Sequence, residues 1–159
     1  MRILNYRRNM VIKEFFKEDK DAREHWTEEI KKGDWRAAWS LVELLTKGTF
    51  HDTLGEGELY LLTDENKLMA FVTMTRRDCI VDDNLFPWIG FVYTFPEYRG
   101  NRYSELLINN CADIAKKKGF EKLWIATDHD GLYEKYGFVY LENRIDCWGE
   151  DSKVLYRQL

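Results

Sequence analysis

The sequence FPEYRGNRYS (residues 95–104) joins the end of an apolar run to the start of an amphipathic segment. Pro96 ends a strand there, because proline cannot donate to the hydrogen-bond ladder of a sheet. A helix that begins near Arg99 leaves its first backbone N–H groups unpaired, and such groups attract anions. Gly100 permits a close approach to the backbone. The stretch therefore predicts a strand, a turn and a helix start that binds a phosphate, the alternative being an ordinary helix start exposed to solvent.

The segments that follow the apolar run predict a sheet whose strands alternate with helices. Pro87–Phe95 carries no charge, which is typical of a buried central strand. A long helix is predicted from about Arg99 to Lys118, because Gly119 is a residue type that often follows the last helical turn. After it the pattern predicts a strand, a short helix and two more strands (Glu121–Ala126, Gly131–Tyr136, Phe138–Trp148 and Lys153–Gln158).

The first half of the chain predicts two helices and then a hairpin. A strand is expected over Met10–Phe16, followed by a helix over Glu18–Gly33. Asp34 is the predicted N-cap of a second helix, whose tryptophans, Trp35 and Trp39, either pack in the core or line an acceptor pocket. Next come two hairpin strands and a polar loop (Glu58–Thr63, Lys67–Thr75 and Arg76–Leu85).

Length and composition indicate one folded domain over residues 1–159. A chain of 159 residues is near the usual size of a single domain and buries enough surface for a core. Its 45% hydrophobic and 33% charged residues exclude the disordered and low-complexity classes. The net charge of -4 argues against nucleic acid as a partner, because nucleic-acid binding requires cations that neutralise phosphates. We therefore expect a neutral or cationic substrate.

The sequence further predicts a cytoplasmic protein without a metal site. Cys79, Cys111 and Cys147 are far apart and odd in number, so neither a disulfide framework nor a zinc site is expected. At the N-terminus, Ile3–Leu4 is too short an apolar core for a signal peptide. No run approaches the roughly 18 apolar residues of a membrane span, so no membrane partner is expected. A homodimer stays open.

Two motifs in the second half of the chain resemble those of the GNAT superfamily of N-acetyltransferases. PEYRG (residues 96–100), followed by Leu106 and Leu107, resembles the pyrophosphate-binding motif of that family. LYEKYGF (residues 132–138) is similar to its second signature, a short helix that ends in Tyr-x-x-x-Gly-Phe. Their order and spacing match as well. The resemblance implies an α/β (α+β) single-domain GNAT-like fold, with a mixed central sheet of about six to seven strands flanked by helices.

The resemblance also implies that acetyl-CoA binds as a co-substrate along the buried strand and at the helix start. The match is incomplete, since Arg102 stands where the motif usually has glycine and Ser104 where it has a second small residue. We expect the Arg102 guanidinium to reach a phosphate oxygen directly, the alternative being that it points to solvent. The implied contacts lie on the strand (Phe91, Val92, Tyr93, Thr94) and at the helix start (Arg99, Gly100, Asn101, Arg102, Tyr103, Ser104).

Direct attack of an amine on a thioester, the reaction that the resemblance implies, needs a base, an oxyanion donor and an acid. Neutralising a lysine-like amine at pH 7 costs about 4.6 kcal/mol, so a base or a desolvating wall must help. The resemblance places the oxyanion donor on the backbone around Phe91–Thr94. It makes Tyr133 the general acid for the departing thiolate, since a tyrosine with a reference pKa of about 10 is protonated at rest. Tyr136 is the rival for this role.

The sequence leaves several candidates for the base. Residues 88–95 contain no carboxylate, although many members of the family carry one on that strand. Asp83, with Asp82, precedes the strand, and Asp128 and His129 follow the next strand. His129 has a suitable reference pKa of about 6.5. Each of these residues is otherwise an ordinary side chain of a solvated loop.

The resemblance implies an acetyl-CoA-dependent N-acetyltransferase that acts on a primary amine of a small molecule or peptide, without a metal. Asp146, Glu150 and Asp151 near the last turn favour a cationic acceptor. The alternative is a module of the same fold that binds CoA as a sensor or interaction partner and has little or no turnover. The substituted glycine motif and the missing strand carboxylate favour that alternative.

Overall fold

The computed structural model describes residues 9–159, in which seven strands form one mixed sheet in the order β1-β2-β3-β4-β5-β7-β6. Helices α1, α2 and α4 pack against the centre of this sheet, at β2, β3 and β4. The predicted α/β (α+β) fold with a mixed central sheet is therefore confirmed. The strands are β1 (Met10–Glu14), β2 (Gly57–Asp64), β3 (Lys67–Thr75), β4 (Trp88–Thr94), β5 (Lys122–Thr127), β6 (Val139–Ile145) and β7 (Asp151–Gln158); the helices are α1 (Lys20–Lys31), α2 (Arg36–Thr46), α3 (Phe50–Leu54) and α4 (Tyr103–Lys117).

The parallel neighbours β4 and β5 diverge at the centre of the sheet. Their pairing is confined to Trp88 with Trp124 and Ile89 with Ile125. All other neighbouring strands in the sheet are antiparallel. A cleft therefore opens between β4 and β5 beyond Ile89.

A β-bulge shapes the β4 side of this cleft. One residue of β3, Val72, faces two residues of β4, Phe91 and Val92. Phe91 has a φ of 46°, in the left-handed region that a bulky residue rarely adopts. A bulge of this kind bends its strand and leaves backbone groups of the extra residue outside the ladder. The bulge thus turns backbone groups of β4 away from β3 at the level where the cleft begins.

Helix α4 holds the turn after β4 in place through its buried face. Leu107, Ile108 and Cys111 are 0% exposed, and the helix packs on β2, β3 and β4. Tyr103 and Ile114, which the sequence pattern places on the same stripe, are half-buried. Because one face of α4 is fixed on the sheet, its N-terminus is fixed beside the end of β4.

Helix boundaries differ from the predictions near the two motifs. The long helix begins at Tyr103 rather than near Arg99, because Pro96–Tyr98 form a 3-10 turn and the residues after it do not continue the helix. The short helix predicted over Gly131–Tyr136 is a 3-10 turn over Glu134–Tyr136. Helix α3 was not predicted, since five residues are too few to show a helical period.

The prediction that Asp34 caps α2 is wrong, because this side chain binds β4 instead. The N-cap is Trp35, without a side-chain hydrogen bond. The Tyr93 hydroxyl donates to Asp34 Oδ1 at 2.5 Å and accepts from the Asp34 N–H at 3.2 Å. Trp35 stacks on the Tyr93 ring at 5.6 Å between centroids, whereas Trp39 is 56% exposed and packs outside the core. The loop between α1 and α2 is thereby tied to the end of β4.

The surface of the described residues shows one exposed apolar strand. β6 lies at the edge of the sheet, and four of its apolar side chains are between 46% and 65% exposed (Val139, Tyr140, Leu141 and Ile145). None of the helices in residues 9–159 is both long and apolar enough to cross a membrane. The prediction that Ile3–Leu4 is too short for a signal peptide lies outside the described residues.

Candidate active site

The turn between β4 and α4 presents backbone N–H groups at a helix start. Gly100 has a φ of 87° and Arg102 a φ of 57°, both in the left-handed region. Glycine adopts this region freely, while for arginine it costs about 1–2 kcal/mol. No side chain caps α4, so its first N–H groups are available to an anion. Although Arg102 replaces a glycine of the motif, it keeps the backbone conformation that glycine favours.

The two arginines of this turn lie at the surface beside aromatic rings. The Arg99 Nε donates to the Thr94 carbonyl at 2.9 Å, and its guanidinium lies 5.6 Å from the centre of the Tyr93 ring. Arg102 forms an ion pair with Glu105, and its guanidinium lies 5.7 Å from the centre of the Tyr136 ring. Both guanidinium groups therefore lie at the mouth of the turn. A phosphate bound there would replace Glu105 as the partner of Arg102.

The first cavity, of about 670 Å³, lies between the end of β4, the start of α4 and the 3-10 turn over Glu134–Tyr136. Every residue that the resemblance assigned to acetyl-CoA lines it except Phe91 and Asn101. The Asn101 side chain donates to the Tyr98 carbonyl at 2.9 Å and so stabilises the turn. Phe91 lines the second cavity instead. The first cavity has the size of a site for a drug-sized ligand or a cofactor.

The second cavity, of about 240 Å³, lies at the cleft between β4 and β5. Its polar lining includes the carboxyl groups of Asp78 and Asp128, and its walls include the Trp148 indole, which is 74% exposed. The two cavities share four lining residues (Trp35, Val92, His129 and Tyr133). They therefore meet at the bulge of β4, so that two ligands, one in each cavity, would approach the same strand from different sides.

Tyr133 lies where the two cavities meet. The residue is 6% exposed, and its ring lies 6.1 Å from that of Tyr136 and 6.4 Å from that of His129. Burial raises the pKa of the Tyr133 phenol to about 12, and the charges of Tyr136 and Asp128 act in the same direction. The phenol is consequently protonated at neutral pH and is able to donate a proton to a group in either cavity.

Tyr136, the rival tyrosine, lines the first cavity alone. Its hydroxyl lies 3.1 Å from the Ser104 hydroxyl, in hydrogen-bond contact with the first turn of α4. The residue is 8% exposed. Its position indicates that it ties the second motif to the helix start.

Comparisons with known proteins agree with this geometry. The model of the acetyltransferase (GNAT) family matches residues 13–138. This chain belongs to the GNAT acetyltransferase family. No curated protein sequence matches it, so the family assignment rests on the family model.

Solved structures share the fold of this GNAT chain at low identity. A GNAT family acetyltransferase from Elizabethkingia anophelis with acetyl-CoA bound has a TM-score of 0.61 and 19% identity, covering 96% of this chain and 100% of that one. An acetyltransferase from Streptococcus agalactiae has a TM-score of 0.65 and 18% identity, covering 96% and 99%. A spermidine N-acetyltransferase chimera that includes the Vibrio cholerae enzyme has a TM-score of 0.63 and 16% identity, covering 94% and 95%. At these identities the likeness shows the fold.

The four candidate bases lie at different places in this GNAT fold. His129 is exposed and lines both cavities, and Asp128 is exposed and lines the second. Asp83 is exposed in the loop before β4 and lines neither cavity. Its neighbour Asp82 accepts a hydrogen bond from Arg144 at 2.6 Å. The structure thus brings His129 and Asp128 to the cleft and leaves Asp83 outside it.

Asp78 is a carboxylate at the cleft that the sequence reasoning did not single out. It follows β3 by three residues, is half-buried and lines the second cavity. Its carboxyl accepts hydrogen bonds from the Cys79 backbone and thiol, yet burial outweighs them and raises the pKa of Asp78 to about 6. The sequence feature that could have pointed to a group beside this strand is Gly90, since a glycine inside an apolar strand often marks a close approach by another group.

The acidic residues of the last turn do not reach the second cavity. Asp146 accepts hydrogen bonds from the backbone N–H groups of Trp148 and Glu150 and from the Ser152 hydroxyl, all between 2.9 and 3.1 Å. Asp151 accepts from Asn143 at 2.6 Å. These carboxylates therefore stabilise the turn, and the acidic character of the cavity comes from Asp78 and Asp128. Within residues 9–159 no group of three His, Cys, Asp or Glu side chains is arranged to hold a metal ion.

Replacing Asp78 with asparagine is expected to stabilise the protein above about pH 6. Below about pH 4 the Asp78 carboxyl is protonated in both the folded and the unfolded protein, so its raised pKa does not affect stability there. Between about pH 4 and pH 6 only the unfolded protein loses this proton readily, so the free energy of unfolding of the wild type falls. Above about pH 6 it stays lowered, by about 3 kcal/mol at most. Urea unfolding of both proteins at about pH 5 and pH 8 measures this difference. An equal gain at the two pH values would contradict it.

Proposed function

We propose that this chain transfers an acetyl group from acetyl-CoA to a primary amine of a small molecule or peptide by direct attack. The observation that carries the proposal is the meeting of two cavities at Tyr133, one beside an anion-binding helix start and the other lined by carboxylates. This arrangement suits a reaction between two substrates that enter from different sides. The cytoplasm is the compartment that we propose, because the free cysteines Cys79, Cys111 and Cys147 suit a reducing environment.

The first cavity fits acetyl-CoA, whose thioester supplies the activated acetyl group. The left-handed turn at Gly100 and Arg102 and the uncapped start of α4 suit its pyrophosphate. The Elizabethkingia anophelis neighbour, which has acetyl-CoA bound, has the same fold. We assign the pyrophosphate to this turn and the acyl end to the strand side of the cavity, near Val92.

The residues around the cleft have separate roles in the proposed transfer. The Val92 N–H, at the bulge and next to both cavities, is the donor for the negative charge that develops on the thioester oxygen. Tyr133 gives its phenolic proton to the departing thiolate, because its raised pKa keeps that proton in place until the sulfur develops charge. Trp35, which stacks on Tyr93, lines both cavities and forms part of the wall between them and α2.

The second cavity suits an acceptor that carries a cation. Asp78 and Asp128 supply negative charge, and the indoles of Trp35 and Trp148 offer ring faces that attract ammonium groups. The solved neighbour named as a spermidine N-acetyltransferase has an amine acceptor, which supports an amine here. The volume of about 240 Å³ suits one amine-bearing chain at a time, whether from a small molecule or from a lysine-like side chain.

A catalytically weak CoA-binding module is the second candidate. It is favoured by the replacement of a motif glycine by Arg102 and by the lack of a carboxylate on β4, and two observations count against these arguments. Arg102 keeps the left-handed conformation of glycine, and Asp78 supplies a carboxylate beside the strand that lacks its own. The two candidates share acetyl-CoA binding and differ in turnover.

Thiol release from acetyl-CoA with a panel of amines separates these candidates. The panel should contain polyamines, aminoglycosides and lysine-bearing peptides, with thermal shift by acetyl-CoA measured beside it. Amine-dependent thiol release supports the transferase. A thermal shift by acetyl-CoA without release for any amine supports the sensor, and the absence of both would contradict the assignment of the first cavity.

Replacing Arg102 with alanine is expected to weaken acetyl-CoA binding by about 1.5–3 kcal/mol, the scale of a charge-assisted hydrogen bond. The variant keeps the left-handed strain and loses the side chain beyond Cβ, including the guanidinium. Arg102→Gly is the matched control that also removes the strain. Calorimetric titration with acetyl-CoA and with a pantetheine thioester that lacks the phosphates measures the effect. Equal losses for both ligands would show that Arg102 acts through the structure and not through a phosphate.

A further inference from the structure

We propose that Asp78 is the general base that takes a proton from the acceptor amine in the second cavity. The inference rests on the proposed function and assigns a residue to its unfilled role. Asp78 belongs to the loop after β3, outside both GNAT motifs, and it lines the cavity together with Gly90 and Phe91 of β4. It therefore reaches the reaction site from a neighbouring loop, on the side of β4 away from the helix start.

The position of the carboxyl is defined by its contact with Gly90. A Cβ atom built on Gly90 would lie 2.7 Å from Asp78 Oδ1, too close for any side chain at this position. Gly90 directly precedes the bulge residue Phe91, at the level where β4 bulges away from β3 and its pairing with β5 has ended. The absence of a side chain on Gly90 thus lets the carboxylate approach the strand backbone next to the proposed oxyanion donor.

A second polar atom converges on the same point. The Thr73 Oγ1 would lie 3.0 Å from the same Cβ position. Thr73 is 0% exposed, and among the described residues no group makes a hydrogen bond with this buried hydroxyl. A buried hydroxyl without a partner is uncommon. Thr73 and Asp78 together offer a hydroxyl and a carboxylate to a group that enters beside Gly90.

The surroundings favour Asp78 over the other candidates for the base. Asp82 is paired with Arg144, and Asp83 lines neither cavity. Both Asp128 and His129 are exposed to solvent. Burial raises the pKa of Asp78 to about 6, so at pH 7 the carboxyl is ionised and its pKa is near the operating pH. The titratable groups that face it or lie around the same cavity are Cys79, Cys147, Asp128, His129 and Tyr133.

The proton balance of the transfer then closes. The bound ammonium gives one proton to Asp78, and the resulting amine forms a bond from nitrogen to the acetyl carbon. The bond between that carbon and sulfur breaks, and the thiolate takes the phenolic proton of Tyr133. The nitrogen loses its second proton, which returns to the Tyr133 oxygen, while Asp78 releases its proton to solvent. An ammonium and a thioester become an amide, a thiol and one free proton.

The test compares the pH dependence of kcat/KM for the wild type and Asp78→Asn, with an amine that the panel identifies. We expect the asparagine variant to lose about 10²–10⁴-fold in kcat/KM at pH 7, the usual range for a general base. The wild-type profile should rise with an apparent pKa near 6, and this rise should vanish in the variant. Acetyl-CoA affinity should stay unchanged, since Asp78 does not line the first cavity. Asp113→Asn, on the exposed surface of α4, is the matched control.

A second variant tests the position of the carboxylate without removing it. Gly90→Ala retains the carboxylate but displaces it from the strand, so it should lower kcat/KM without removing an ionisable group. Wild-type kcat/KM in Asp78→Asn or in Gly90→Ala overturns the inference. A rise near pH 6 that persists in Asp78→Asn and vanishes in His129→Gln also overturns it and gives the role to His129. A wild type without turnover for any amine overturns the proposed function together with this inference.

Discussion

Replacing Tyr133 with phenylalanine should lower turnover by about 10²–10⁴-fold, because the departing thiolate then lacks its proton donor. The substitution keeps the ring, which is 6% exposed and packs against Tyr136 and Phe138. Stability and acetyl-CoA affinity should therefore barely change. Since a thiolate is already a tolerable leaving group, the loss should lie at the lower end of this range. Single-turnover measurements, which isolate the chemical step, provide the appropriate readout.

Tyr136→Phe is the matched control for the tyrosine that carries the proton. Its hydroxyl contacts Ser104 at the helix start and does not line the second cavity. Losing that contact should affect acetyl-CoA affinity more than the chemical step. Wild-type turnover in Tyr133→Phe, or a larger drop in single-turnover rate in Tyr136→Phe, would remove Tyr133 from the proposed mechanism.

Replacing Gly100 with glutamate should reduce acetyl-CoA affinity by at least about 100-fold, which corresponds to roughly 3 kcal/mol. Gly100 lines the first cavity, and a Cβ atom at this position would meet no other atom within 4 Å. The new side chain therefore has room, and its carboxylate would occupy the space assigned to the pyrophosphate and repel it. Calorimetric titration with acetyl-CoA measures the loss.

Gly100→Ala separates the charge effect from backbone strain. At a φ of 87° any residue with a Cβ atom is strained, so alanine carries the strain without the charge. We expect alanine to lower affinity by far less than glutamate. Acetyl-CoA affinity that stays unchanged in Gly100→Glu would contradict the placement of the pyrophosphate at this turn.

Local signals in the sequence were sufficient for the central strand, the turn after it and helix α4, while the resemblance to the family supplied the mixed sheet. A buried strand is predicted by the uncharged run over Pro87–Phe95, and its end by Pro96. The end of the following helix is predicted by the glycine after Lys118. The structure has β4, the turn and α4 at these places. The motif around Gly100 then located the cavity beside the helix start. These features depend on neighbours in the chain, which explains why a pattern in one sequence reveals them.

Contacts between segments that are distant in the chain could not be predicted from the sequence. Asp34 looks like a helix cap, but it binds the Tyr93 hydroxyl, 59 residues away in the chain. Asp78 looks like a loop charge, and only the fold places its carboxyl against Gly90. The left-handed conformation of Arg102 was likewise hidden, since arginine seldom adopts it. The role of each of these residues depends on how distant parts of the chain pack together, and the residue type alone does not reveal it.

The central claim, acetyl transfer across the cleft between β4 and β5, is tested most directly by mass detection of the product. Acetyl-CoA with an isotopically labelled acetyl group is incubated with the wild-type protein and each amine that supports thiol release. The proposed mechanism predicts an amine that gains one labelled acetyl group on nitrogen, with one thiol released for each amide formed. Binding of labelled acetyl-CoA without any acetylated amine would contradict it.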